Sequence, residues 1–338
     1  MMKKYLSLFF ILLSMACGKK NQITELKMPP VIHLTGEKVE TILPRCYETG
    51  VLVDSFLVLK ENCTDTLFYL FSAISGQEVF RFGDKGRGVC EFYYPLFLSN
   101  SFAYDSLIIY DIPVGRLTKI DLHALVENQD ITKCVNSEHL YRNLNFMYNF
   151  NKIDSAFIGT FIEKDEGLFS FCNRNNGEIK NTDYVPYYFY EKGRKDAYCH
   201  HVLVSEKDNS IIVPFKYMNL INCYDLDGNL KVTYALDWIK EEINTQIRVD
   251  EHTTVTFYRT YATRNRCYLV WDGHKIEEEL RKYPAKIVVM NWRGELEKVY
   301  QLDNFADFII PDEKQRMIYV GVYNAGLEFV EIYKYPML

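Results

Sequence analysis

The chain has 338 residues and a formal net charge of −6 at pH 7, and hydrophobic residues make up 48% of it. A chain of this length and apolar content can bury a large core. Nucleic-acid binding depends on clustered Lys and Arg side chains that neutralise phosphates, so the acidic balance argues against a nucleic-acid partner.

The first 16 residues have the pattern of an export signal. Lys3 and Lys4 give a positive start, Tyr5 to Leu13 form an apolar run, and Ala16 leads into Cys17. The apolar run is too short to cross about 30 Å of hydrocarbon as a helix. A small residue directly before a cysteine at this distance resembles the lipobox of bacterial lipoproteins, in which the cysteine is acylated and becomes the mature N-terminus.

This resemblance implies a lipid anchor on Cys17, to which each buried CH₂ group contributes about 0.8 kcal/mol. Ser14 stands where Leu is commonest in the lipobox, which leaves an ordinary secretory signal with an incidental cysteine as the alternative. Gly18 stands where an inner-membrane retention signal usually carries Asp, which favours the outer membrane. Residues 19–22 lack the acidic run of a surface-export signal, which favours the periplasmic face. Residues 17–35 are predicted to be the lipidated cysteine and a linker.

One pattern recurs from residue 36 to residue 338: an apolar strand, a turn ending in glycine, and a second strand. Six such turns end at Gly76, Gly115, Gly177, Gly228, Gly294 and Gly326. Glycine supplies the positive φ that tight hairpins require. The turns recur about every 48 residues, which is the size of a four-stranded blade. The pattern therefore predicts an all-β fold, a six-bladed β-propeller of four-stranded antiparallel blades.

Three segments extend this prediction. Glu37 to Leu43 is expected to close the ring by pairing with the last blade. His123 to Phe150 lacks hairpin signals and is expected to hold a helical insertion between the second and third blades. Asp272 to Pro284 has oppositely charged pairs four residues apart, which predicts a short surface helix.

The segment from Phe82-Gly83 through Glu91-Phe92 and on to Ile120 resembles an NHL repeat. The wider pattern resembles the TolB-like six-bladed β-propeller lipoproteins of the Bacteroidota. Val89-Cys90 stands where that family has Pro-Gly, whereas Lys286 to Leu302 and Phe305 to Tyr335 resemble its last two blades. The resemblance implies a fold and a place in the cell envelope rather than an activity.

Eight cysteines remain besides Cys17, an even number that permits disulfides in an exported protein and leaves their pairing open. Cys172, Cys223 and Cys267 lie in strand-like apolar runs, so packing accounts for them without bridges.

Three motifs that suggest chemistry are better explained as structure. Gly83 to Gly88 lacks the following helix that a phosphate loop needs, and Asp225 to Asn229 lacks the distal Glu of a calcium loop. His200 and His201 would point to opposite faces of a strand, so they cannot bind one metal together. No catalytic residue, metal site or cofactor is predicted.

The best candidate for ligand binding is the Tyr-rich segment that contains Tyr184, Tyr187, Tyr188 and Tyr190. Tyrosine offers a flat apolar face and a hydroxyl at low entropic cost, as in recognition loops. Packing of these rings over the ends of neighbouring blades is the alternative.

The sequence therefore predicts a membrane-anchored envelope lipoprotein whose propeller is a non-catalytic binding or scaffolding module. Its expected partner is an envelope protein or a glycan-derived ligand. The alternative is a calcium-dependent propeller hydrolase or lactonase with its site in the central channel, where ligands from several blades would leave no linear motif.

Overall fold

The computed structural model describes residues 23–161, 167–184, 198–237, 249–278 and 280–338. Within these ranges the chain forms six sheets of four or five strands. No helix in this part of the chain is both long and apolar enough to span a bilayer.

Three short strands precede the first blade: β1 (Ile23–Leu26), β2 (Val31–His33) and β3 (Glu37–Lys38). Blade 1 contains β4 (Tyr47–Val53), β5 (Phe56–Glu61), β6 (Thr66–Ser72), β7 (Glu78–Lys85) and β8 (Glu91–Phe92). Blade 2 contains β9 (Pro95–Phe97), β10 (Leu107–Asp111), β11 (Arg116–Ile120) and β12 (Val135–His139). Blade 3 contains β13 (Met147–Lys152), β14 (Ala156–Phe161), β15 (Ser170–Asn173) and β16 (Ile179–Asn181).

The remaining blades follow the same order. Blade 4 contains β17 (Leu203–Ser205), β18 (Ser210–Pro214), β19 (Ile221–Tyr224) and β20 (Leu230–Leu236). Blade 5 contains β21 (Thr254–Ala262), β22 (Arg266–Lys275), β23 (Lys286–Asn291) and β24 (Leu296–Gln301). Blade 6 contains β25 (Phe308–Asp312), β26 (Met317–Asn324) and β27 (Phe329–Pro336).

The sheets close into a ring because each packs on both of its neighbours. Among the described residues, six hydrophobic clusters each combine side chains from two adjacent blades. Phe68 and Ile109 belong to the cluster between blades 1 and 2. Leu59 and Ile310 belong to the cluster between blades 6 and 1, which completes the circle. The predicted six-bladed propeller is confirmed.

The N-terminal part of the chain supplies the last strand of blade 6. In this pairing β3 lies antiparallel to β27, with Lys38 opposite Tyr333. The Lys38 ammonium lies 2.8 Å from the Glu331 carboxylate on the same sheet. Ring closure by the segment that begins at Glu37 is therefore confirmed.

The expected linker over residues 17–35 is in part a structural element of the propeller. The strand β1 pairs in parallel with β20 of blade 4, and β2 pairs in parallel with β24 of blade 5. The outer strand of a blade has unpaired N–H and C=O groups, which an extended neighbouring segment can satisfy. Blades 4 and 5 consequently have five strands rather than four, and β8 adds a fifth strand to blade 1 in the same way.

Two of the glycine turns show why the outer hairpins need glycine. Gly177 has a φ of 72° and Gly228 a φ of 85°, values that a residue with a side chain rarely adopts. A Cβ on Gly177 would lie 2.9 Å from the Tyr141 ring, and one on Gly228 would lie 3.0 Å from the ring of Phe171. Each outer hairpin thus packs closely on the preceding blade.

The sixth predicted turn differs from the others. Gly326 does not have a positive φ, and the left-handed position there is taken by Glu328, with a φ of 59°. The hairpin between β26 and β27 forms as predicted, but its left-handed residue is two positions later.

The two predicted helices are placed differently in the structure. The helix α1 (Leu122–Asn128) connects β11 to β12 inside blade 2, not blade 2 to blade 3. In the other segment, Asp272 to Lys275 continues β22, and only Leu280–Lys282 forms a 3₁₀ turn. Charge pairs four residues apart stabilise a helix by a few tenths of a kcal/mol, about 0.2–0.5 each, which is too little to outweigh pairing with β21.

A polar mouth at one end of the central channel

The central channel of the ring is lined by the first strand of each blade, and its two ends differ. The turns between first and second strands gather at one end, here the plugged end. The links from one blade to the next gather at the other end, here the mouth. The mouth is defined by Glu48, Lys60, Tyr94, Tyr148, His201, Lys216 and Arg259.

A loop from blade 2 crosses the plugged end. Its short 3₁₀ helix, Ser101–Ala103, carries Phe102, whose ring centroid lies 5.8 Å from that of Trp292 in blade 5. The Nε of Arg264 donates to the Phe102 carbonyl at 3.1 Å, and its Nη2 lies 2.8 Å from the Asp105 carboxylate. Blades 2 and 5 stand opposite each other in a six-bladed ring. A loop that joins them must cross the axis and cover the channel at this end.

At the mouth, a buried cation supports a carboxylate. The Lys60 side chain is 2% exposed, and its Nζ lies 2.8 Å from the Glu48 carboxylate. Asn62 donates to the same carboxylate at 2.6 Å. Burial raises the pKa of Glu48, but the hydrogen bond from Lys60 and the neighbouring charges outweigh it, so the pKa lies below its ordinary value. Glu48 is therefore ionised at neutral pH, and Lys60 offsets its charge.

Aromatic rings from two other parts of the ring lie beside this pair. Tyr94, in the link between blades 1 and 2, is 46% exposed, and the Lys60 ammonium lies 5.4 Å from its ring centroid. The pKa of Tyr94 is raised by burial and by the nearby groups of Glu48 and Tyr148. Tyr148 belongs to β13 of blade 3, so side chains from successive blades meet here.

The position of Arg259 shows that the mouth lies on the axis. Arg259 is an exposed residue of β21 in blade 5. Its charge helps to lower the pKa of Glu48 in blade 1 and, behind the larger effect of burial, the pKa of His201 before blade 4, which falls to about 3. Blades 1 and 4 are opposite in the ring. A guanidinium that acts on groups of both blades must lie near the centre.

A second cation, Lys216, lies in the turn after β18 and also lowers the pKa of His201. The Thr256 N–H of β21 donates to the Lys216 carbonyl at 2.6 Å, which fixes this turn against blade 5. His201 is consequently a neutral donor or acceptor at neutral pH.

The residues predicted from sequence are only partly described. Cys17, Tyr187, Tyr188 and Tyr190 lie outside the described residues. Tyr184 is half-buried, and its ring centroid lies 4.8 Å from that of Tyr198 in the cluster between blades 3 and 4. Tyr184 stands in a link between blades, so the Tyr-rich segment begins at the mouth end of the ring.

Sequence reasoning missed the mouth itself. Its residues come from separate blades and form no linear motif. One signal in the sequence is a charged residue within a first strand that otherwise has no charge, as Arg259 is in β21.

The motifs interpreted as structure have structural roles. Arg116 donates to the Gly88 carbonyl at 2.6 Å, which holds the glycine-rich bend between blades 1 and 2. The Asp225 carboxylate accepts from the backbone N–H groups of Asp227 and Asn229, as in a hairpin turn. No three His, Cys, Asp or Glu side chains of the described ranges lie together as a metal site.

The described ranges contain both disulfide-bonded and free cysteines. Cys46 and Cys63 form a disulfide that joins the start of β4 to the chain just after β5, at the mouth end of blade 1. Cys172, Cys223 and Cys267 are free and buried, as their apolar surroundings predicted.

Known structures share this architecture at low sequence identity. A member of the DUF4221 family from Bacteroides vulgatus matches with a TM-score of 0.54 and 12% identity, covering 89% of this chain and 97% of that one. A protein from Bacteroides fragilis that is named as exported matches with a TM-score of 0.54 and 11% identity, covering 93% and 99% of the two chains. At such identities the likeness concerns the fold alone. No family model matches the sequence, and no curated protein matches it.

Proposed function

We propose that the protein is a binding module of the bacterial cell envelope, anchored by lipid on Cys17, that holds a glycan-derived ligand at the mouth of its propeller. The observation that carries this proposal is the contrast between a channel covered at one end by Phe102 and polar at the other. A channel that is closed at one end can hold a ligand at its open end but cannot let the ligand pass through. The export-like leader and the exported structural neighbour support the compartment.

The side chains at the mouth support binding better than hydrolysis. A calcium-dependent hydrolase needs oxygen ligands from several blades converging on the ion. The carboxylate described at the mouth, that of Glu48, is already held by Lys60 and Asn62. Tyr94 instead presents an exposed ring beside hydrogen-bonding groups, which suits the apolar face and hydroxyls of a sugar.

The site is tested with the purified protein in detergent and an array of neutral and acidic oligosaccharides, followed by calorimetry on those that bind. Tyr94→Ala is expected to weaken binding about three- to tenfold, because an aromatic contact contributes about 0.5–1.5 kcal/mol beyond its buried area. Tyr93→Ala is the matched control, since the neighbouring Tyr93 ring contacts Arg87 and not Lys60. Equal losses in both variants would contradict the site, and absence of any saccharide binding would contradict the ligand class.

The anchor is tested by Cys17→Ala. Without the acylated cysteine, the protein is expected to move from the membrane fraction to the periplasmic fraction while its unfolding temperature stays the same. Unchanged membrane association would refute lipidation at Cys17.

A further inference from the structure

We propose that the mouth recognises a carboxylate on its ligand, as carried by the uronic acid units of an acidic oligosaccharide. This inference rests on the proposed binding function and adds the charge of the ligand to it.

Arg259 uses few of its hydrogen-bond donors within the described fold. Its Nε donates weakly to the Asp307 carbonyl at 3.4 Å. Across the described ranges, no carboxylate lies within ion-pair distance of its guanidinium, although the side chain is exposed near the axis. A guanidinium presents paired N–H donors that match the two oxygens of a carboxylate. Arg259 therefore offers donors that the described fold leaves available.

Lys216 is a second cation at the mouth. Its ammonium lies 5.0 Å from the ring centroid of Tyr217, and it too has no carboxylate within ion-pair distance in the described part of the chain. The Lys216 carbonyl accepts from the Thr256 N–H of β21, three residues before Arg259, and behind the larger effect of burial both cations lower the pKa of His201. Neighbouring cations without an ion-pair partner repel each other, and an anion between them relieves that repulsion.

The described residues of the mouth carry more positive than negative charge. Glu48 is offset by Lys60, which leaves Arg259 and Lys216 as the excess charge among them. The chain as a whole has a net charge of −6, so the positive balance of these described residues runs against its overall composition. A positive cleft within a negative protein attracts anions selectively.

The neighbouring rings favour a sugar acid over other carboxylates. The Tyr94 side chain is 46% exposed and can stack on a pyranose ring, and behind the larger effect of burial Tyr148 of β13 helps to raise its pKa. A peptide C-terminus shares the carboxylate, but its main chain has no ring to place on Tyr94 and only some side chains supply one. These contacts favour a uronic acid over a peptide terminus.

The experiment measures binding of trigalacturonate, neutral maltotriose and trialanine to the purified protein in detergent by calorimetry. Trigalacturonate is expected to bind, and to bind less tightly at higher salt, whereas maltotriose binds at least tenfold more weakly. Arg259→Gln and Lys216→Gln are each expected to weaken trigalacturonate binding about tenfold. Arg293→Gln is the matched control, because Arg293 is an exposed residue of the outer turn in the same blade.

The outcomes separate this inference from the proposed function. Equal binding of maltotriose and trigalacturonate, with no effect of Arg259→Gln, would overturn the carboxylate inference and leave a glycan-binding module. Arg259-dependent binding of trialanine alone would overturn the uronic acid. If the folded protein binds neither saccharide and an oligosaccharide array is also negative, the proposed function fails as well. Unfolding temperatures of all variants show whether a loss reflects the site or the fold.

Discussion

The two ends of the channel use similar side chains in different ways. At the plugged end, the Arg264 guanidinium is paired with Asp105 and the Phe102 ring packs on Trp292. At the mouth, Arg259 has no carboxylate partner among the described residues, and the Tyr94 ring is half exposed. Groups that are satisfied internally stabilise a fold, whereas groups left available can bind a ligand. The contacts described at the plugged end are therefore satisfied internally, whereas the mouth leaves the Arg259 guanidinium and the Tyr94 ring available to a ligand.

The largest expected difference in the free energy of unfolding is between loss of the aromatic ring at the plugged end and loss of the ring at the mouth. Phe102→Ala removes a packed ring from the plug and is expected to lower the free energy of unfolding by about 2–3 kcal/mol, somewhat below the cost at a fully buried site. Tyr94→Ala is expected to cost less than about 1 kcal/mol, since nearly half of its surface is already in water. Chemical denaturation of both variants measures the difference. Similar losses would mean that the mouth is structural too.

The next largest expected effect is a change of stability with pH, caused by the Glu48 carboxylate. The pKa of Glu48 is lowered in the folded protein, so its ionised form stabilises the fold above the ordinary value of 4.5 and that contribution is lost as the pH falls below it. Because the Glu48 side chain is 40% exposed, solvent screening limits the contribution to about 1 kcal/mol or less. Wild type is therefore expected to be more stable than Glu48→Gln at pH 7 and to lose that advantage near pH 3. Denaturant titrations at both pH values provide the test, and a gap that is equal at both would contradict it.

The smallest expected change in stability concerns the two arginines, Arg264 at the plugged end and Arg259 at the mouth. Arg264→Gln removes an exposed ion pair and a hydrogen bond to the Phe102 carbonyl, with an expected cost of about 0.5–1 kcal/mol. Arg259→Gln removes no ion pair and is expected to leave stability unchanged, or to raise it slightly by ending the repulsion with Lys216. Thermal unfolding at low and high salt distinguishes them by sign, because salt should shrink a loss of stability for Arg264→Gln and any gain of stability for Arg259→Gln. A larger loss for Arg259→Gln would show that Arg259 supports the fold.

The six-bladed ring could be predicted from the sequence because the signals for each blade, a glycine turn and an alternating strand, lie within a few residues of each other. A glycine such as Gly228 is needed at its own turn, and the alternating strand that follows is visible in a few residues. The helix α1 was placed between blades because nothing in the sequence shows that β12 returns to the sheet of β11. The linker prediction missed β1 and β2 because their pairing partners lie about two hundred or more residues later, and short polar strands have no strong pattern of their own.

The mouth could not be predicted for a related reason. Glu48 and Arg259 are brought together only when blades 1 and 5 take their places in the ring. Their chemistry depends on distances that no linear spacing encodes. A polar residue in a first strand can be noted from the sequence, but whether it is paired, as Glu48 is with Lys60, is decided by packing.

With a lipid on Cys17, as proposed, the pairing of β1 with blade 4 would limit how far the protein can stand from a bilayer. Only a few residues separate Cys17 from Ile23, and an extended chain advances at most about 3.6 Å per residue, so a lipid on Cys17 would lie within roughly 20 Å of that strand. The anchor would then join the propeller at the outer edge of blade 4, so the distance between this blade and the bilayer would be set by a tether of six residues or fewer.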